Sequence, residues 1–271
     1  MWELFLYVAL TIYCLATLLW VVSVAVKDAS IIDLFWGPFF VAAAWVLLAI
    51  EIDRAVPKHL LFVFLLTAWG LRLAYHLAVR NVGHGEDRRY QVWRANGGEH
   101  WWWKSYYRVY LLQGTIALVV ALPIVACFVG PNRMLLVNWL GAAIGVVGIV
   151  FEATSDIQLQ RFRASPLGAG AVMDRGLWRY SRHPNYFGDA LMWWGMSLLT
   201  LSGATWWSII GPLAMTLVFL NVSNDVIERG LKKRRPEYES YIARTSAFFP
   251  RRPSAEPSRH QAAYRAGTDG L

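Results

Sequence analysis

Apolar residues in this chain fall into long blocks, and polar residues are concentrated between the blocks. A helix of roughly 20 mostly apolar residues crosses about 30 Å of hydrocarbon, and seven blocks reach or approach that length. They are Leu4 to Val26, Ile31 to Ile50, His59 to Val79, Val109 to Val129, Leu135 to Asp156, Tyr186 to Ser202, and Trp206 to Ser223. The pattern predicts an all-α, polytopic integral membrane protein with seven transmembrane helices.

Composition supports this interpretation, because 56% of the 271 residues are hydrophobic and only 16% are charged. We expect residues 1–250 to form a single membrane domain. Residues 251–271 are rich in Pro, Ser and Arg, which predicts a mobile basic tail. The first block lacks a preceding basic region and begins near Glu3, so it is interpreted as a span and not as a cleaved signal peptide.

Lys and Arg residues are unevenly distributed among the loops. They are concentrated after the first, third and fifth helices and in the tail, whereas only Arg54, Lys58 and Arg133 fall on the other side. Because cytoplasmic loops accumulate these residues, we predict an external N-terminus and a cytoplasmic C-terminus. Topology and anionic lipid explain most of the net charge of +8. We expect a bacterial inner membrane, or the endoplasmic reticulum in a eukaryote.

Several classes of chemistry have no signal in the sequence. No Cys/His cluster has metal-ligand spacing, so no metal is expected, and Cys14 and Cys127 are interpreted as packing residues. The glycine fingerprint of dinucleotide-binding folds, the Walker loop and the nucleophile elbow are also absent from the sequence. No nucleic-acid partner is expected.

Ionisable residues at membrane depth are costly and therefore indicate candidate sites. In "FEATSDIQLQRFR", Glu152 and Asp156 share one helical face, and Arg163 lies further along nearly the same face. The alternative is a helix that simply emerges into water. The face runs acid, acid, base toward the cytoplasm, and the depth of Glu152 favours a site over the alternative.

The third block carries Arg72, Tyr75, His76 and Arg80 along one helical side. Arg72 is about two turns from the membrane interface, which favours a partner or a bound anion over snorkelling. The polar turn "GHGEDRRY" follows, and its two acids either anchor neighbouring cations or meet ribose hydroxyls.

The stretch "RYSRHPNYFG" places strong hydrogen-bonding groups directly before an apolar block. Arg179, Arg182 and His183 are anion-binding groups, and Asn185 and Tyr186 offer donors at the start of a helix whose N-terminus favours phosphate. An ordinary basic loop is the alternative, but it does not require this combination of residues. The stretch predicts a docking point for a phosphorylated or amide-bearing cofactor.

The longer stretch "GLWRYSRHPNYFGDALMWWG" resembles the C-terminal signature of steroid 5-alpha-reductases and related sterol reductases. "SDIQLQRFR" and "EYESYIARTSAFFP" resemble two further stretches of that family. The resemblance extends from about Ile149 to Pro250 and is faint before Arg72. It implies a membrane reductase that uses NADPH to reduce an enone in a lipophilic, steroid-like substrate.

The resemblance also implies functional positions. Asp156 and Arg163 match positions that hold the cofactor, Asn185 matches the asparagine at the nicotinamide amide, and Glu152 and Gln160 depart from the animal enzymes. The residues expected at NADPH are Arg72, Glu152, Asp156, Arg163, Arg179, Arg182, His183, Asn185, Tyr186, Glu228, Tyr238 and Tyr241.

The implied mechanism transfers hydride to the β-carbon of a 3-oxo-Δ4 system while a protein acid polarises the ketone. The family uses a Glu and Tyr pair for this, and Asp33 and Tyr75 are the candidate catalytic residues here. Asp33 is alternatively a helix N-cap, and Glu152 or a bound water is an alternative donor. Asp33, Trp36 and Trp69 are expected to contact the substrate. Trp69 stands where a loose alignment places the Tyr of that family's Glu and Tyr pair.

Two other functions share some of these features. Isoprenylcysteine carboxyl methyltransferases have a similar late "RHPNY" stretch followed by a Glu and a Tyr pair, here Glu228, Tyr238 and Tyr241. A non-enzymatic sterol-binding protein is the other alternative, although it would not need Asn185 together with the arginines. We expect a monomer whose partners are its lipophilic substrate and membrane lipid.

Overall fold

The computed structural model describes residues 1–166, 171–222 and 237–254, and for residue 222 the backbone only. In this part of the chain every regular element is helical and there is no β-strand, which confirms the all-α prediction. The α-helices are α1 (Trp2–Val26), α2 (Ile31–Leu34), α3 (Trp36–Ile50), α4 (Pro57–Asn81), α5 (Arg88–Gly97), α6 (Trp101–Ser105), α7 (Leu112–Val120), α8 (Leu122–Val129), α9 (Leu136–Ala164), α10 (Pro184–Thr200), α11 (Ile210–Val222) and α12 (Tyr238–Arg244), and a π-helical segment, Tyr106–Leu111, joins α6 to α7.

All seven predicted apolar blocks lie largely within helices. Among the described residues, four helical segments are long and apolar enough to cross a membrane, namely Trp2–Val26, Pro57–Asn81, Arg88–Val129 and Leu136–Ala164. The apolar segments Trp36–Ile50 and Trp206–Asn221 are shorter. The structure therefore supports a membrane protein with several apolar helices, while seven spans and the orientation of the termini remain predictions.

The second predicted block is not one helix. It is divided at Phe35, whose φ of −99° and ψ of 3° separate α2 from α3. The cause is Pro38, which lacks the N–H that would bond to the Leu34 carbonyl, and whose ring would clash with that carbonyl in a continuous helix. Asp33 consequently lies in the short helix α2, outside the apolar helix α3.

The chain packs as two compact units. The first consists of Met1–Ile149 and Ala190–Thr216, and the second of Val150–Asp189 and the described residues of Leu217–Leu271. The single domain over residues 1–250 remains a prediction. Most of the predicted tail, residues 255–271, lies outside the described residues.

The core of the first unit combines glycine contacts with buried aromatic rings. A Cβ on Gly37 in α3 would overlap the carbonyl oxygen of Gly70 in α4, so these helices approach through small residues, as is typical of membrane helices. The rings of Trp69 and Trp193 lie 5.4 Å apart, and that of Phe40 packs against both. Trp69 is therefore fixed in an aromatic core.

In the second unit, a close approach and a ring stack hold the start of α10. A Cβ on Gly188 would lie 2.5 Å from the backbone nitrogen of Glu152 in α9, so only glycine fits at this crossing. The Tyr186 ring stacks on His183 at 5.5 Å and on Phe219 at 4.7 Å, with both ring pairs nearly parallel. The first turns of α10 are thus fixed against their neighbours.

Candidate functional site

Asp33 is held by two donors from α5. Its Oδ1 accepts a hydrogen bond from the Tyr90 hydroxyl at 2.7 Å, and its Oδ2 accepts one from Arg89 Nη2 at 2.9 Å. The Asp33 side chain is 18% exposed, and Tyr90 is buried. The structure therefore places a carboxyl group and a phenol in direct contact at a site largely shielded from solvent.

The donor direction in this contact is fixed by two further residues. Trp36 Nε1 donates to Gln113 Oε1 at 2.7 Å, and Gln113 Nε2 donates to the Tyr90 hydroxyl at 3.0 Å. An indole N–H can only donate, so it orients the amide and leaves the Tyr90 oxygen as an acceptor. The Tyr90 proton therefore points to Asp33. We call Trp36, Gln113, Tyr90 and Asp33 the acid relay.

Hydrogen bonds join the segment before α2 to the segment before α5. Glu86 accepts two hydrogen bonds from Arg94, at 2.9 and 2.8 Å, and its Oε1 also accepts from the backbone N–H of Ala29 at 2.8 Å. The Asp87 N–H donates to Ser30 Oγ at 3.2 Å. These bonds link the segment before α2 to the start of α5, which brings Asp33 and Tyr90 together.

Asp87 is the N-cap of α5. Its Oδ1 accepts hydrogen bonds from the backbone N–H of Arg89 at 2.8 Å and from Arg89 Nε at 3.1 Å. Burial by itself raises the pKa of Asp87, but the bonds from Arg89 outweigh burial and hold the pKa below its ordinary value. The sequence left open whether Glu86 and Asp87 anchor neighbouring cations or meet ribose hydroxyls. In the structure, Glu86 pairs with Arg94 and Asp87 pairs with Arg89.

The predicted catalytic and substrate residues are only partly brought together. Asp33 and Trp36 both belong to the acid relay, whereas Tyr75 is 73% exposed on α4 and Trp69 is buried in the aromatic core. The N-cap interpretation of Asp33 is wrong, because the N-cap of α2 is Ser30 and Asp33 is the third residue of that helix. The phenol in contact with Asp33 is that of Tyr90.

Tyr90 and Gln113 were missed by the sequence reasoning. Gln113 carried a usable signal, because it is a lone amide in the apolar stretch "LLQGTIALVV", where a polar group needs a partner. Tyr90 carried a weaker one, because it follows the polar turn of Glu86 and Asp87. Neither signal could show that the partner of Tyr90 is an aspartate 57 positions earlier.

In the second unit, the two acids of α9 are buried. Glu152 is 3% exposed and Asp156 is 4% exposed, so a helix that simply emerges into water does not describe them. Glu152 lies against Gly188, one turn beyond Asn185 at the start of α10. Arg163, further along α9, is exposed.

The predicted anion-binding groups before α10 have different surroundings. Arg182 Nη1 donates to the carbonyl oxygens of Ile242 and Thr245 at 3.2 and 3.0 Å, so this side chain fastens α12 to the loop. His183 is buried and stacks on Tyr186. By contrast, Arg179 is exposed. Asn185 lies in the first turn of α10, as the sequence predicted.

The two tyrosines of α12 are buried, and one has a clear structural contact. The Tyr241 hydroxyl donates to the Trp178 carbonyl oxygen, and the Ser181 carbonyl oxygen lies 3.3 Å away. Burial raises the pKa of Tyr241. The Tyr238 ring packs 5.6 Å from that of Tyr241. Predicted cofactor residue Glu228 lies outside the described residues, and Arg72 is half-buried on α4 in the first unit.

The cofactor NADPH fits the chemistry of the groups around the start of α10. Asn185 offers an amide donor and acceptor, and the buried carboxylates of Glu152 and Asp156 can accept from hydroxyl groups such as those of ribose. The Gly188 crossing keeps this set together by excluding even a methyl group. No group of three or more metal-ligating side chains occurs among the described residues.

Comparisons with known proteins define the family. An uncharacterized protein of Schizosaccharomyces pombe, C594.04c, is 25% identical over 269 residues, which cover 88% of this chain and 77% of that protein. Steroid 5-alpha-reductase DET2 of Arabidopsis thaliana is 30% identical over 121 residues, which cover 42% of this chain and 40% of that protein. No solved structure shows a significant match. The family described as "Protein of unknown function (DUF1295)" matches residues 19–245, and the chain therefore belongs to the DUF1295 family.

Proposed function

We propose that this protein is an integral-membrane reductase that uses NADPH to reduce the C4–C5 double bond of a 3-oxo-Δ4 steroid or a similar lipid enone. The observation that carries the proposal is the hydrogen bond from Tyr90 to Asp33, because enone reduction needs a protein acid at the ketone. The similarity to DET2, a steroid 5-alpha-reductase, supports the reaction class. That similarity covers 40% of DET2. The activity of DET2 is therefore assigned to this chain only as a proposal.

The residues proposed to hold NADPH are those around the start of α10. Asn185 would bind the nicotinamide carboxamide, Glu152 and Asp156 would accept from ribose hydroxyls, and the arginines of the second unit would bind phosphate. When bound, NADPH supplies the hydride that is added to the β-carbon. The Tyr186 ring, which stacks on His183 and Phe219, would hold in place the first turn of α10 that carries Asn185.

The acid relay is proposed to stabilise the negative charge that develops on the ketone oxygen. Tyr90 would turn its hydroxyl proton from Asp33 to that oxygen, and the Gln113 amide would continue to donate to the Tyr90 oxygen. The Gln113 donor favours the phenolate form of Tyr90, whereas the Asp33 carboxylate, which accepts the Tyr90 proton, favours the neutral phenol. Arg89 stabilises the Asp33 carboxylate through its 2.9 Å contact. Hydride addition at the β-carbon with protonation of the oxygen by Tyr90 would give an enol; a solvent proton would then add to the α-carbon as the enol proton returns to Tyr90, so the reduction adds one hydride and one proton in total.

The remaining proposals concern the setting of the reaction. We propose a multi-pass protein with an external N-terminus and a cytoplasmic C-terminus, acting as a monomer on a substrate that is dissolved in the lipid. The long apolar helices support the membrane location of this proposal. Binding of a soluble, dinucleotide cofactor from the cytoplasmic side agrees with the basic loops on that side.

The reaction class can be tested with the purified protein in detergent. It would be incubated with NADPH and progesterone, and in parallel with S-adenosylmethionine and a prenyl-cysteine. We expect loss of NADPH absorbance together with a steroid product two hydrogen atoms heavier, identified by mass spectrometry. Methyl transfer to the prenyl-cysteine would replace the proposal with a methyltransferase, and sterol binding without turnover of either cofactor would indicate a binding protein.

A further inference from the structure

A cavity in the first unit lies between the end of α1 and the segment from α5 to α6. Its volume is about 390 Å³, at the lower end of the range of roughly 300–1,000 Å³ that small-molecule sites occupy. None of the residues that line it belongs to the acid relay or to the residues proposed to hold NADPH. The proposed function therefore gives this cavity no role.

The cavity lies where an apolar helix ends. α1 is long and apolar enough to cross a membrane, and Lys27 is its C-cap. The rings of Trp93 and Trp103, in α5 and α6, are exposed, which is typical of tryptophan at the membrane–water interface. The Trp20 indole donates to the Trp102 carbonyl oxygen at 2.9 Å and so fastens α1 to α6. These features indicate that the cavity lies at the level of the lipid headgroups.

Two opposite charges line the cavity without partners of their own. Lys27 and Glu99 are exposed, and neither side chain forms an ion pair or a hydrogen bond within the described residues. A third charged residue of the lining, Arg94, is already paired with Glu86 at 2.8 Å. Lys27 and Glu99 therefore suit a ligand that carries one negative and one positive group.

The cavity wall also offers hydrogen-bond acceptors. The Ser23 hydroxyl donates its proton to the Trp20 carbonyl oxygen at 2.7 Å. The Ser105 hydroxyl donates in the same way to the Trp102 carbonyl oxygen at 2.9 Å. A hydroxyl group has one proton, so both serine oxygens can only accept from a ligand. Together with the Glu99 carboxylate, they match a group with several N–H donors, such as a primary ammonium.

A quaternary ammonium matches this lining less well than a primary ammonium. It has no N–H to donate and is typically bound by a cage of several aromatic rings. The Trp101 ring is buried, and the Arg94 guanidinium group already lies over it, 5.9 Å from its centre. The exposed Trp102 is the other aromatic residue of the described lining, and one ring does not form a cage.

The exposed side of α1 provides a surface for acyl chains. Val24 lines the cavity, and Leu18, Val21 and Val22 are exposed within two turns before it on the same helix. An acyl chain attached to a headgroup in the cavity can run along these apolar side chains. The cavity thus adjoins a polar and an apolar surface, as the binding of a phospholipid requires.

We propose that this cavity binds the headgroup of one phosphatidylethanolamine molecule, with Lys27 at the phosphate and Glu99 at the primary ammonium. This is a fixed site for a single lipid, in addition to the lipid that surrounds any apolar helix, and it does not depend on the proposed reductase activity. Ala29 and Arg94 line the cavity and also hold Glu86. The bound headgroup would therefore lie against the contacts that bring α2 and α5 together.

The test uses the full-length protein in detergent, freed of bound lipid, and native mass spectrometry to count bound lipid molecules. Phosphatidylethanolamine, phosphatidylcholine and phosphatidylglycerol with identical acyl chains would be titrated separately. We expect one phosphatidylethanolamine molecule to bind about tenfold more tightly than either other lipid, the equivalent of one hydrogen bond to a charged group. Glu99→Gln should weaken phosphatidylethanolamine about tenfold without weakening phosphatidylglycerol, which has no ammonium. Lys27→Gln should weaken both lipids.

The matched control is Arg108→Gln, which removes an exposed cation of the π-helical segment after α6 that does not line the cavity. Lys27→Arg keeps the charge and should retain binding, and melting temperatures would show that each variant is folded. Equal weakening in Arg108→Gln and Lys27→Gln would reveal unspecific attraction and overturn the site. The proposal is also overturned if the wild type does not prefer phosphatidylethanolamine, or if its preference survives in Glu99→Gln. Reductase activity is measured separately and has no part in this outcome.

Discussion

The hydroxyl of Tyr90 donates a 2.7 Å hydrogen bond to Asp33, although the two residues are 57 positions apart in the sequence. The contact is made possible by the tie between Glu86, Arg94 and the backbone of Ala29, which brings the start of α5 to α2. Because the Gln113 amide donates to the same hydroxyl, the Tyr90 proton has a defined direction. The most direct predictions concern this phenol.

Tyr90→Phe should lower turnover by about 100-fold or more, since general acid catalysis typically contributes at least that factor. Phenylalanine keeps the ring and its packing but removes the proton, so NADPH affinity should be little changed. Steroid turnover and NADPH binding would be measured on the same preparation. The matched control is Tyr75→Phe, because Tyr75 is largely exposed. A larger loss in Tyr75→Phe than in Tyr90→Phe would restore Tyr75 as the acid.

Asp33→Asn should keep the fold, because the side chains are nearly isosteric, and should lower turnover far more than NADPH affinity. The variant removes the negative charge that faces Arg89 and the acceptor of the Tyr90 proton. Turnover, NADPH binding and the elution profile in detergent would be compared with the wild type. Unchanged turnover in a folded variant would show that Asp33 only supports the structure.

Trp36→Phe tests whether the acid relay needs its first donor. Without the indole N–H, the Gln113 amide can flip by 180° and present its oxygen to Tyr90. We therefore expect the catalytic rate to fall by roughly tenfold, the equivalent of one net hydrogen bond. The control is Trp45→Phe, which removes a similar indole bond, 3.0 Å to Thr67, outside the relay. The pH profile of turnover should shift in Trp36→Phe only. Equal effects in the two variants would argue against a positioning role.

Gly188→Ala should destabilise the protein by about 1–3 kcal/mol, as is typical of overpacking in a close-packed interior. The added Cβ would lie 2.5 Å from the backbone of Glu152, so α9 and α10 would have to move apart. Gly203→Ala is the control, because nothing lies within 4 Å of a Cβ at that position. Thermal unfolding in detergent would be measured for both. Equal melting temperatures would show that the crossing is more adaptable than the geometry indicates.

Asp87 gives a prediction for the dependence of stability on pH. Since its pKa is lowered in the folded protein, its carboxylate contributes stability that is fully present above the ordinary pKa of about 3.9 and is lost as pH falls through the folded pKa. The difference in melting temperature between wild type and Asp87→Asn should therefore shrink toward strongly acidic pH. Asp53→Asn, at an exposed position, is the control. A difference that grows on acidification would contradict the sign.

The apolar helices could be predicted from the sequence because the length and apolar composition of each block are sufficient to identify it. Asp33 and Asn185 could be identified as candidate site residues because a polar group beside an apolar block is costly unless it has a partner or a function. The pairing of Asp33 with Tyr90 could not, because helical periodicity relates residues within one helix and says nothing about which helices meet. Tyr75 shares a helical side with Arg72, yet it is exposed, and the arginines of "RYSRHPNYFG" have different surroundings.

The break at Phe35 also bears on how the chain enters the membrane during synthesis. A charged residue at the centre of an inserting helix costs about 2.5–3.5 kcal/mol on the scale of the cellular insertion machinery, and Asp33, the third residue of the predicted block, lies near the end of that block. Pro38 ends the preceding helix before α3 begins, and α3 itself contains no Asp, Glu, Lys or Arg. If α3 crosses the membrane, as the sequence predicts, the insertion machinery would therefore receive it as an uncharged segment that follows the carboxylate of Asp33. In this way the chain can keep an acidic group next to an apolar helix without reducing the probability that the helix is inserted.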